Sequence, residues 1–305
     1  MNSVYSIERI KTEDGFLFRN KKKVPITNKM ILDYLKTLYV PPAYENVFFT
    51  KNKKIHCYAI AIDDKKRKQY FYRKEWSVIS RQNKINSLYN LSQYIQKLHS
   101  DLKKMLTLPL FSNEHGEKVL LSLFLHIMLY GNFRIGSENG RKKYKSYGVS
   151  TLQKEHVHFI DKHKVSIEFH GKKNIINKTT IRSKRICQLL HDIIQNNSNS
   201  TLFHLDTPSL QCRITPLFVN DFLKSYGSCS SKVLRTWYVN TEYLKHLYKT
   251  NSRTKALSLT ANSFHHTKTV CKKSYLFPEI YQTEISDTTT PNLIFVDFLF
   301  QNKKL

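Results

Sequence analysis

The 305-residue sequence has little of what marks several common protein classes. Glycine occurs only eight times, and neither G-x-x-x-x-G-K-[ST] nor G-x-G-x-x-G is present. The chain therefore offers no recognisable phosphate-binding loop for an ATP-driven mechanism. The five cysteines are odd in number and no two have C-x-x-C spacing. This argues against a disulfide framework and a zinc module, and it favours a reducing, intracellular compartment.

Acidic residues and long apolar runs are also scarce. The 23 Asp and Glu residues are mostly scattered, which weakens the case for a two-metal nuclease. The longest apolar stretch, Val119 to Tyr130, is interrupted by Ser122 and His126 and is too short to span a bilayer. The first residues lack the apolar segment of a secretory signal. These features weaken the case for a metal-dependent nuclease and for a membrane protein.

Positive charge is what the sequence has in excess. It contains 50 Lys and Arg, for a net charge of +27 and a pI near 9.8. Residues 1–78 hold 17 basic and 8 acidic residues, and residues 79–305 hold 33 and 15, so the charge is not confined to a tail. With 40% hydrophobic and 12% aromatic residues the chain can bury a core. A folded basic protein of this kind is expected to bind a polyanion, most often nucleic acid.

The hydrophobic pattern predicts an α+β protein with two domains. Residues 1–78 show short strand-like segments, including Ile55–Ile62 and Gln69–Tyr72, and predict a small β-rich domain. Residues 79–305 predict a larger, mainly helical domain with one embedded β-hairpin near 165–180. Its helices include a buried stripe from Leu88 to Leu102 as one helix, and an almost wholly apolar helix over Glu117–Tyr130.

Two segments of the second domain carry residues suited to binding a phosphodiester. Arg134 directly follows the apolar helix, where a rigidly held guanidinium could clamp a phosphate. Lys172 lies at the tip of the predicted hairpin, where a flexible ammonium could reach into a groove. Taken alone, each segment is better explained in an ordinary way, the first as a surface arginine at a helix end and the second as a solvated lysine in a turn.

Two further segments complete the pattern. Arg235 lies one turn into a helix, on the face next to the buried residues, where it needs an anionic partner or a structural ion pair. His265-His266-Thr267 is followed by Tyr275. A tyrosine can act as a nucleophile only when cationic neighbours stabilise the phenolate and the developing phosphorane, and the chain has 18 tyrosines to choose from.

In their order and local sequence these segments resemble the type IB DNA topoisomerases, most closely the small poxvirus-like branch. Arg134 to Gly136, continuing through Tyr144 to the block from Gly148 to Leu152, is similar to the family's R-x-G…Y…G-x-x-T-L block. Phe169-His170-Gly171-Lys172 resembles the hairpin with its catalytic lysine, and Lys232-Val233-Leu234-Arg235-Thr236 its K-x-L-R-T helix. The nine residues from His266 to Tyr275 match the spacing from histidine to nucleophile. Arg67 to Tyr72 resembles a segment that lies along DNA.

The resemblance implies a fold, shared with tyrosine recombinases, that forms a C-shaped clamp around double-stranded DNA. It also implies catalysis with no required cofactor, neither ATP nor metal. Because one chain contains every residue that this mechanism needs, a monomer is the default expectation. Tyr275 would form a 3′-phosphotyrosyl intermediate, Arg134, Arg235 and His266 would bind the non-bridging oxygens, and Lys172 would protonate the leaving 5′-oxygen. The residues expected to contact DNA are Lys68, Gln69, Tyr70, Tyr72, Lys142, Lys143, Tyr144 and Lys232. If the source is viral, the expected location is the virion core or replication factory, and otherwise the nucleoid or nucleus.

Three departures from the family and two alternatives stay open at this point. His265 replaces the family's usual glycine and makes a doublet with His266, although the nine-residue spacing favours His266. Ser137, Asn139 and Gly140 stand where poxvirus enzymes carry larger side chains that read bases. A tyrosine recombinase shares the Arg…Lys…Arg…His…Tyr pattern but usually has His-x-x-Arg where this chain has Lys232 to Arg235. A catalytically inactive basic DNA-binding protein would account for the composition alone.

Overall fold

The computed structural model describes residues 4–207, 210–284 and 290–303, and the chain forms two compact units, Met1–Asn83 and Lys84–Leu305. A helix, α2 (Lys74–Ser92), runs across the division between the two units. The sequence-based boundary between residues 78 and 79 falls inside this helix, and the assignment of two functional domains stays a prediction.

The first unit is built on one antiparallel sheet. Its strands are β1 (Tyr5–Thr12), β2 (Gly15–Asn20), β3 (Glu45–Thr50), β4 (Cys57–Ile62) and β5 (Lys68–Tyr72), in the order β2-β1-β3-β4-β5. Helix α1 (Lys29–Lys36) contributes Leu35 to a core that includes Ile7 and Phe49. This small β-sheet unit agrees with the prediction for the start of the chain.

A buried arginine connects this sheet to the loop that follows α1. Arg9 on β1 is only 8% exposed and donates hydrogen bonds to the carbonyls of Val40 (2.6 Å), Pro41 (3.0 Å) and Tyr44 (3.1 Å). A buried guanidinium is tolerated only when its donors are paired, and here the loop backbone supplies the acceptors. Arg9 therefore holds the loop from Val40 to Tyr44 against the sheet.

The second unit is mainly helical. Its further helices are α3 (Ile95–Thr107), α4 (Gly116–Tyr130), α5 (Glu138–Tyr144), α6 (Lys184–Asn196), α7 (Pro216–Lys224), α8 (Ser231–Thr250), α9 (Arg253–Ser263), α10 (Lys268–Val270), α11 (Pro278–Gln282) and α12 (Pro291–Asn302). Helix α4 lies in the centre of the core, as its apolar sequence predicts, and its buried Ser122 donates to Leu102 O at 2.6 Å.

One expectation about the second unit is wrong, and another is incomplete. The stripe from Leu88 to Leu102 belongs to two helices, because α2 ends at Ser92 and α3 begins at Ile95. The leucines remain buried because the 3,4 spacing continues across the break.

The predicted hairpin is present, but it is part of a three-stranded sheet, and the described residues of this unit contain a further two-stranded sheet. One has β6 (Val157–Asp161), β7 (Lys164–His170) and β8 (Ile176–Arg182), and the other has β9 (His204–Thr207) and β10 (Leu210–Arg213). The extra strands have only four or five residues, too few for a clear alternating pattern.

The fold class is thus a mixture of α and β structure with a small N-terminal sheet. Helix ends follow their sequence signals, since Thr215 caps α7 ahead of Pro216 and Ser230 caps α8 through Val233 N. In the described part of the chain no helix is both long and apolar enough to cross a membrane.

Candidate active site

The loop after α4 holds Arg134 in a constrained backbone. Gly131 caps the helix, Asn132 adopts a left-handed conformation (φ +50°), and Phe133 N donates to Met128 O at 2.9 Å. The ring of Phe133 is buried and packs edge-on against Phe169 at 4.8 Å between centroids. Because Phe133 anchors the loop in the core, the half-buried Arg134 that follows it has a fixed starting point.

Two glycines allow this loop to lie against the segment before β6. A Cβ on Gly148 would lie 2.5 Å from Gly136 Cα, and Gly136 has a φ of +86°. Only glycine fits such a close backbone crossing. Val149 N donates to Arg134 O (3.0 Å), so the two segments share backbone hydrogen bonds. Gly148 N also donates to the hydroxyl oxygen (Oγ1) of the buried Thr151 at 3.0 Å. The sequence block from Arg134 to Leu152 is therefore a single folded unit.

Arg235 projects from the first turns of α8 and joins two loops. One of its terminal nitrogens donates to Asn132 O and the other to Phe264 O. Its guanidinium also lies over the ring of Tyr275, with 5.5 Å from Cζ to the ring centroid. Burial, and next the charge of Arg134, lower the pKa of Arg235 to about 10, so the guanidinium remains charged at neutral pH.

The segment after α9 contains the two histidines, and they point to different partners. His266 is 7% exposed and its ring is stacked on Tyr275, with centroids 5.3 Å apart and planes 8° from parallel. His265 instead brings its Nε2 within 2.9 Å of Gly131 O. Burial, followed by the charges of Arg235 and Arg134, lowers the pKa of His266 to about 4. At neutral pH His266 is therefore an uncharged imidazole with one N–H donor.

Three buried nitrogens around this stack lack a hydrogen-bond partner among the described residues. They are Arg235 Nε and both ring nitrogens of His266. A buried donor without an acceptor is costly, and such groups in a native protein are often functional. The arrangement can therefore donate hydrogen bonds to an anion that lies next to the Tyr275 ring.

Tyr275 ends a five-residue π-helical turn, Cys271–Tyr275. Such turns are uncommon and often occur at functional sites. The Tyr275 carbonyl accepts hydrogen bonds from Lys84 Nζ at 2.9 Å and from Asn240 Nδ2 at 3.2 Å. Asn240 is fully buried on α8, one and a half turns beyond Arg235, and it also accepts from Phe277 N at 3.4 Å. Two hydrogen bonds therefore fix the position of the Tyr275 carbonyl.

The sequence did not reveal the contacts of Lys84, Asn240 and His265 around this cluster. One signal was available for Asn240, which is a polar residue within the buried stripe of α8. Such a residue needs a hydrogen-bond partner. Nothing in the local sequence singles out Lys84, which reaches Tyr275 across 191 positions of the chain.

Lys172 lies in the exposed turn between β7 and β8. Gly171 before it is buried, and a Cβ at this position would lie 2.1 Å from Asn177 Nδ2. Lys173 after it has a φ of +63°. Tyr147 N donates to His170 O at 2.8 Å, so the turn is tied to the segment that precedes Gly148. In the described structure no hydrogen bond or ring contact joins the Lys172 side chain to the four other predicted catalytic residues.

The predicted DNA-contacting residues of the second unit are all exposed. Lys142, Lys143 and Tyr144 form one end of the short helix α5, and Lys143 Nζ lies 5.3 Å from the Tyr144 ring centroid. Lys232 is exposed at the start of α8. A cationic group beside an exposed aromatic ring can bind both phosphate and base or sugar surfaces.

In the first unit the predicted residues lie on the edge strand β5. Strand alternation exposes Lys68, Tyr70 and Tyr72, and Tyr72 stacks on Trp76 at 5.6 Å between centroids. Gln69 belongs to the other face, where its amide donates to Asp63 Oδ2 at 2.9 Å. Hydrogen bonds, first of all from the Arg67 side chain, lower the pKa of that Asp63 carboxyl to about 2. The structure therefore separates Gln69 from the two exposed tyrosines.

Metal-ligand chemistry has no obvious site here. Across residues 4–207, 210–284 and 290–303, no three His, Cys, Asp or Glu side chains are grouped so as to hold a metal ion. The cysteines described by the structure are all free.

Comparison with known proteins relates the chain to a family. A family model described as the catalytic core of eukaryotic DNA topoisomerase I matches residues 68–285. The chain is also similar to DNA topoisomerase 1B of Acanthamoeba polyphaga mimivirus. The two are 27% identical over an alignment of 301 positions, and the alignment covers 90% of this chain and 87% of the viral protein.

Proposed function

This chain belongs to the type IB family of DNA topoisomerases, and on that premise we propose that it relaxes supercoiled duplex DNA through a covalent 3′-phosphotyrosyl intermediate. Membership of the family makes it an isomerase that binds DNA, and the mimivirus relative supports the viral branch. The mechanism, the roles of individual residues and independence from ATP and metal are our proposal.

The chemical step begins with Tyr275. Its hydroxyl oxygen attacks a backbone phosphorus, a new P–O bond forms, and the bond from phosphorus to the 5′-oxygen breaks. The phenolic proton passes to solvent, and the departing 5′-oxygen takes a proton from Lys172. The free strand rotates, and the 5′-hydroxyl then attacks the phosphorus and returns its proton to Lys172. The bond from phosphorus to the Tyr275 oxygen breaks, and the phenolate regains a proton from solvent, which restores the backbone and the enzyme. Because the bond energy is kept in the covalent link, the cycle needs no ATP.

One observation carries the proposal: the stacked rings of His266 and Tyr275 beside the Arg235 guanidinium. Arg235 Nε and the single N–H of the neutral His266 ring are suited to donate to the non-bridging oxygens as charge develops on them. Arg134 adds positive charge from the neighbouring loop, where its Nη1 donates to His265 O at 3.3 Å. Donors fixed in advance stabilise a transition state without reorganising during the reaction.

Lys172 is assigned the general-acid role on its position in the fold. Its turn is linked to the Gly136 and Gly148 crossing through Tyr147, and the exposed ammonium can reach toward a bound duplex. Exposed Lys142, Lys143, Tyr144 and Lys232 supply a phosphate-binding surface around the site. Tyr70, Tyr72 and Lys68 provide a comparable surface on β5. We further propose that one chain suffices, since it contains every residue of the mechanism.

We propose an intracellular site of action, where double-stranded DNA is present. A viral protein would act in the virion core or the replication factory, and a cellular one in the nucleoid or nucleus.

The decisive assay incubates the protein with supercoiled plasmid in EDTA without ATP. We expect a ladder of relaxed topoisomers and, after rapid denaturation, protein linked to the 3′ end of the cleaved strand. Tyr275→Phe should bind DNA normally but give neither product, whereas Tyr248→Phe, at an exposed tyrosine of α8, should behave as wild type. Relaxation by Tyr275→Phe at the wild-type rate would refute the assignment. Action only on paired sites would indicate a recombinase.

A further inference from the structure

The backbone at His265 adopts a conformation that histidine seldom takes. Its φ is +51°, in the left-handed region, where a side chain beyond glycine costs about 1 kcal/mol. Asn, Asp and His are tolerated there better than other residues because their polar groups can make a compensating hydrogen bond. The contacts of the His265 imidazole are therefore relevant to this backbone conformation.

The ring of His265 is anchored to the loop after α4. Its Nε2 lies 2.9 Å from Gly131 O, and the ring packs on Phe133 at 5.4 Å between centroids. A carbonyl oxygen can only accept, so Nε2 must carry a proton. Burial lowers the pKa of His265 and thereby favours the neutral ring, in which Nδ1 is bare when Nε2 carries the proton.

The same two loops are joined by the two arginines of the proposed phosphate site. Arg134 Nη1 donates to His265 O at 3.3 Å, and Arg235 bridges Asn132 O and Phe264 O. Both guanidinium groups must also direct donors toward the scissile phosphate. The hydrogen bond from the His265 ring to Gly131 O involves neither guanidinium group. Binding of a phosphate by the arginines therefore does not compete with this hydrogen bond.

We propose that His265 is a positioning residue, whose imidazole fastens the His266 segment to the Arg134 loop and so holds His266 in register with Tyr275. This inference rests on the function proposed above. His266 follows His265 directly, and its ring stacks on Tyr275 at 5.3 Å, so a movement of residue 265 is passed to the donors that face the phosphate. His265 itself touches no reacting atom.

Two variants separate the imidazole from the backbone. His265→Gly keeps the left-handed conformation, and even relieves it, but removes the hydrogen bond to Gly131. His265→Gln keeps an amide nitrogen at the same position along the side chain as Nε2. We expect His265→Gly to slow single-turnover DNA cleavage by about ten- to a hundredfold, because small misplacements of catalytic groups have effects of this size. Its affinity for DNA, measured in the Tyr275→Phe background, should be unchanged.

His265→Gln should restore cleavage to within about threefold of wild type if positioning through this hydrogen bond is what matters. A purely structural role would instead lower thermal stability and cleavage together. Wild-type cleavage by His265→Gly overturns the proposal while leaving the proposed function intact. Failure of the wild-type protein to cleave DNA removes the proposed function itself, so the two failures are distinguishable.

A measurement on the unaltered protein tests the same contact if a variant does not fold. Long-range nitrogen–proton NMR correlations of ¹⁵N-histidine-labelled protein report the tautomer of each neutral ring. We expect the Nε2–H tautomer for His265. The Nδ1–H tautomer is incompatible with donation to Gly131 O and would overturn the proposal.

Discussion

Burial of His266 should make the second unit sensitive to mild acid. Its pKa is lowered to about 4 by burial first and then by Arg235 and Arg134, whereas an unfolded histidine titrates near 6.5. The unfolded chain therefore takes up the proton first, and the free energy of unfolding falls as pH drops below about 6.5. The part of this loss that comes from His266 stops growing below about pH 4. Between pH 7 and pH 5, His266 lowers the free energy of unfolding by about 2 kcal/mol.

The assay is urea unfolding at pH 7 and at pH 5, followed by tryptophan fluorescence. The chain has two tryptophans, and Trp76→Phe leaves Trp237 as the reporter of the second unit. In this background His266→Gln removes the titrating ring while keeping a neutral polar group. The variant should lose about 2 kcal/mol less than its parent between the two pH values. The other buried histidines remain in both proteins.

His191→Gln is the matched control, because the His191 side chain is 59% exposed on α6. It should lose as much stability between pH 7 and pH 5 as the parent. If His266→Gln also loses as much as the parent, the inferred pKa of His266 is wrong. The imidazole C–H resonances of His266 give an independent reading, since they should titrate near pH 4.

Three further outcomes follow from close packing and charge. Gly148→Ala should lower single-turnover cleavage at least about tenfold, because its Cβ would lie 2.5 Å from Gly136 Cα; unchanged cleavage would contradict the backbone crossing. Arg9→Ala should lower the free energy of unfolding of the first unit by about 2–4 kcal/mol, since three carbonyls lose their donor. Chemical denaturation should show a smaller loss for Arg19→Ala. Lys143→Ala should weaken DNA binding and reduce the slope of log affinity against log salt by about 0.9, and an unchanged slope would exclude a phosphate contact.

Periodicity was a good guide to the core and a poor guide to breaks. The almost wholly apolar sequence of α4 predicted a central helix because no orientation of it could face water. The same reasoning placed Leu88 and Leu102 on one buried stripe but missed the break at residues 93 and 94, since the spacing continues across it. Strands β9 and β10 are stabilised by pairing with each other, which short segments do not signal.

The structure brings four of the predicted site residues into one cluster, although their catalytic roles stay a prediction. Arg134, Arg235, His266 and Tyr275 were named from the order of short motifs, which carries no information about their geometry. The nine-residue spacing favoured His266 over His265, but it could not show that the two rings contact different partners, because this depends on the backbone conformation at His265. Gln69 was grouped with Tyr70 and Tyr72, although strand alternation directs it toward Asp63.

The sequence alone determined the class of partner, the mixed fold and the residue types available for chemistry, because charge, periodicity and motif order are properties of the chain itself. Only the tertiary structure decided which groups meet. Lys84 and Asn240 donate hydrogen bonds to the Tyr275 carbonyl. Arg235 donates to Asn132 O, 103 residues earlier in the chain, and to Phe264 O, 29 residues later. Such contacts depend on the positions of helices fixed by the whole core, and no local pattern encodes them.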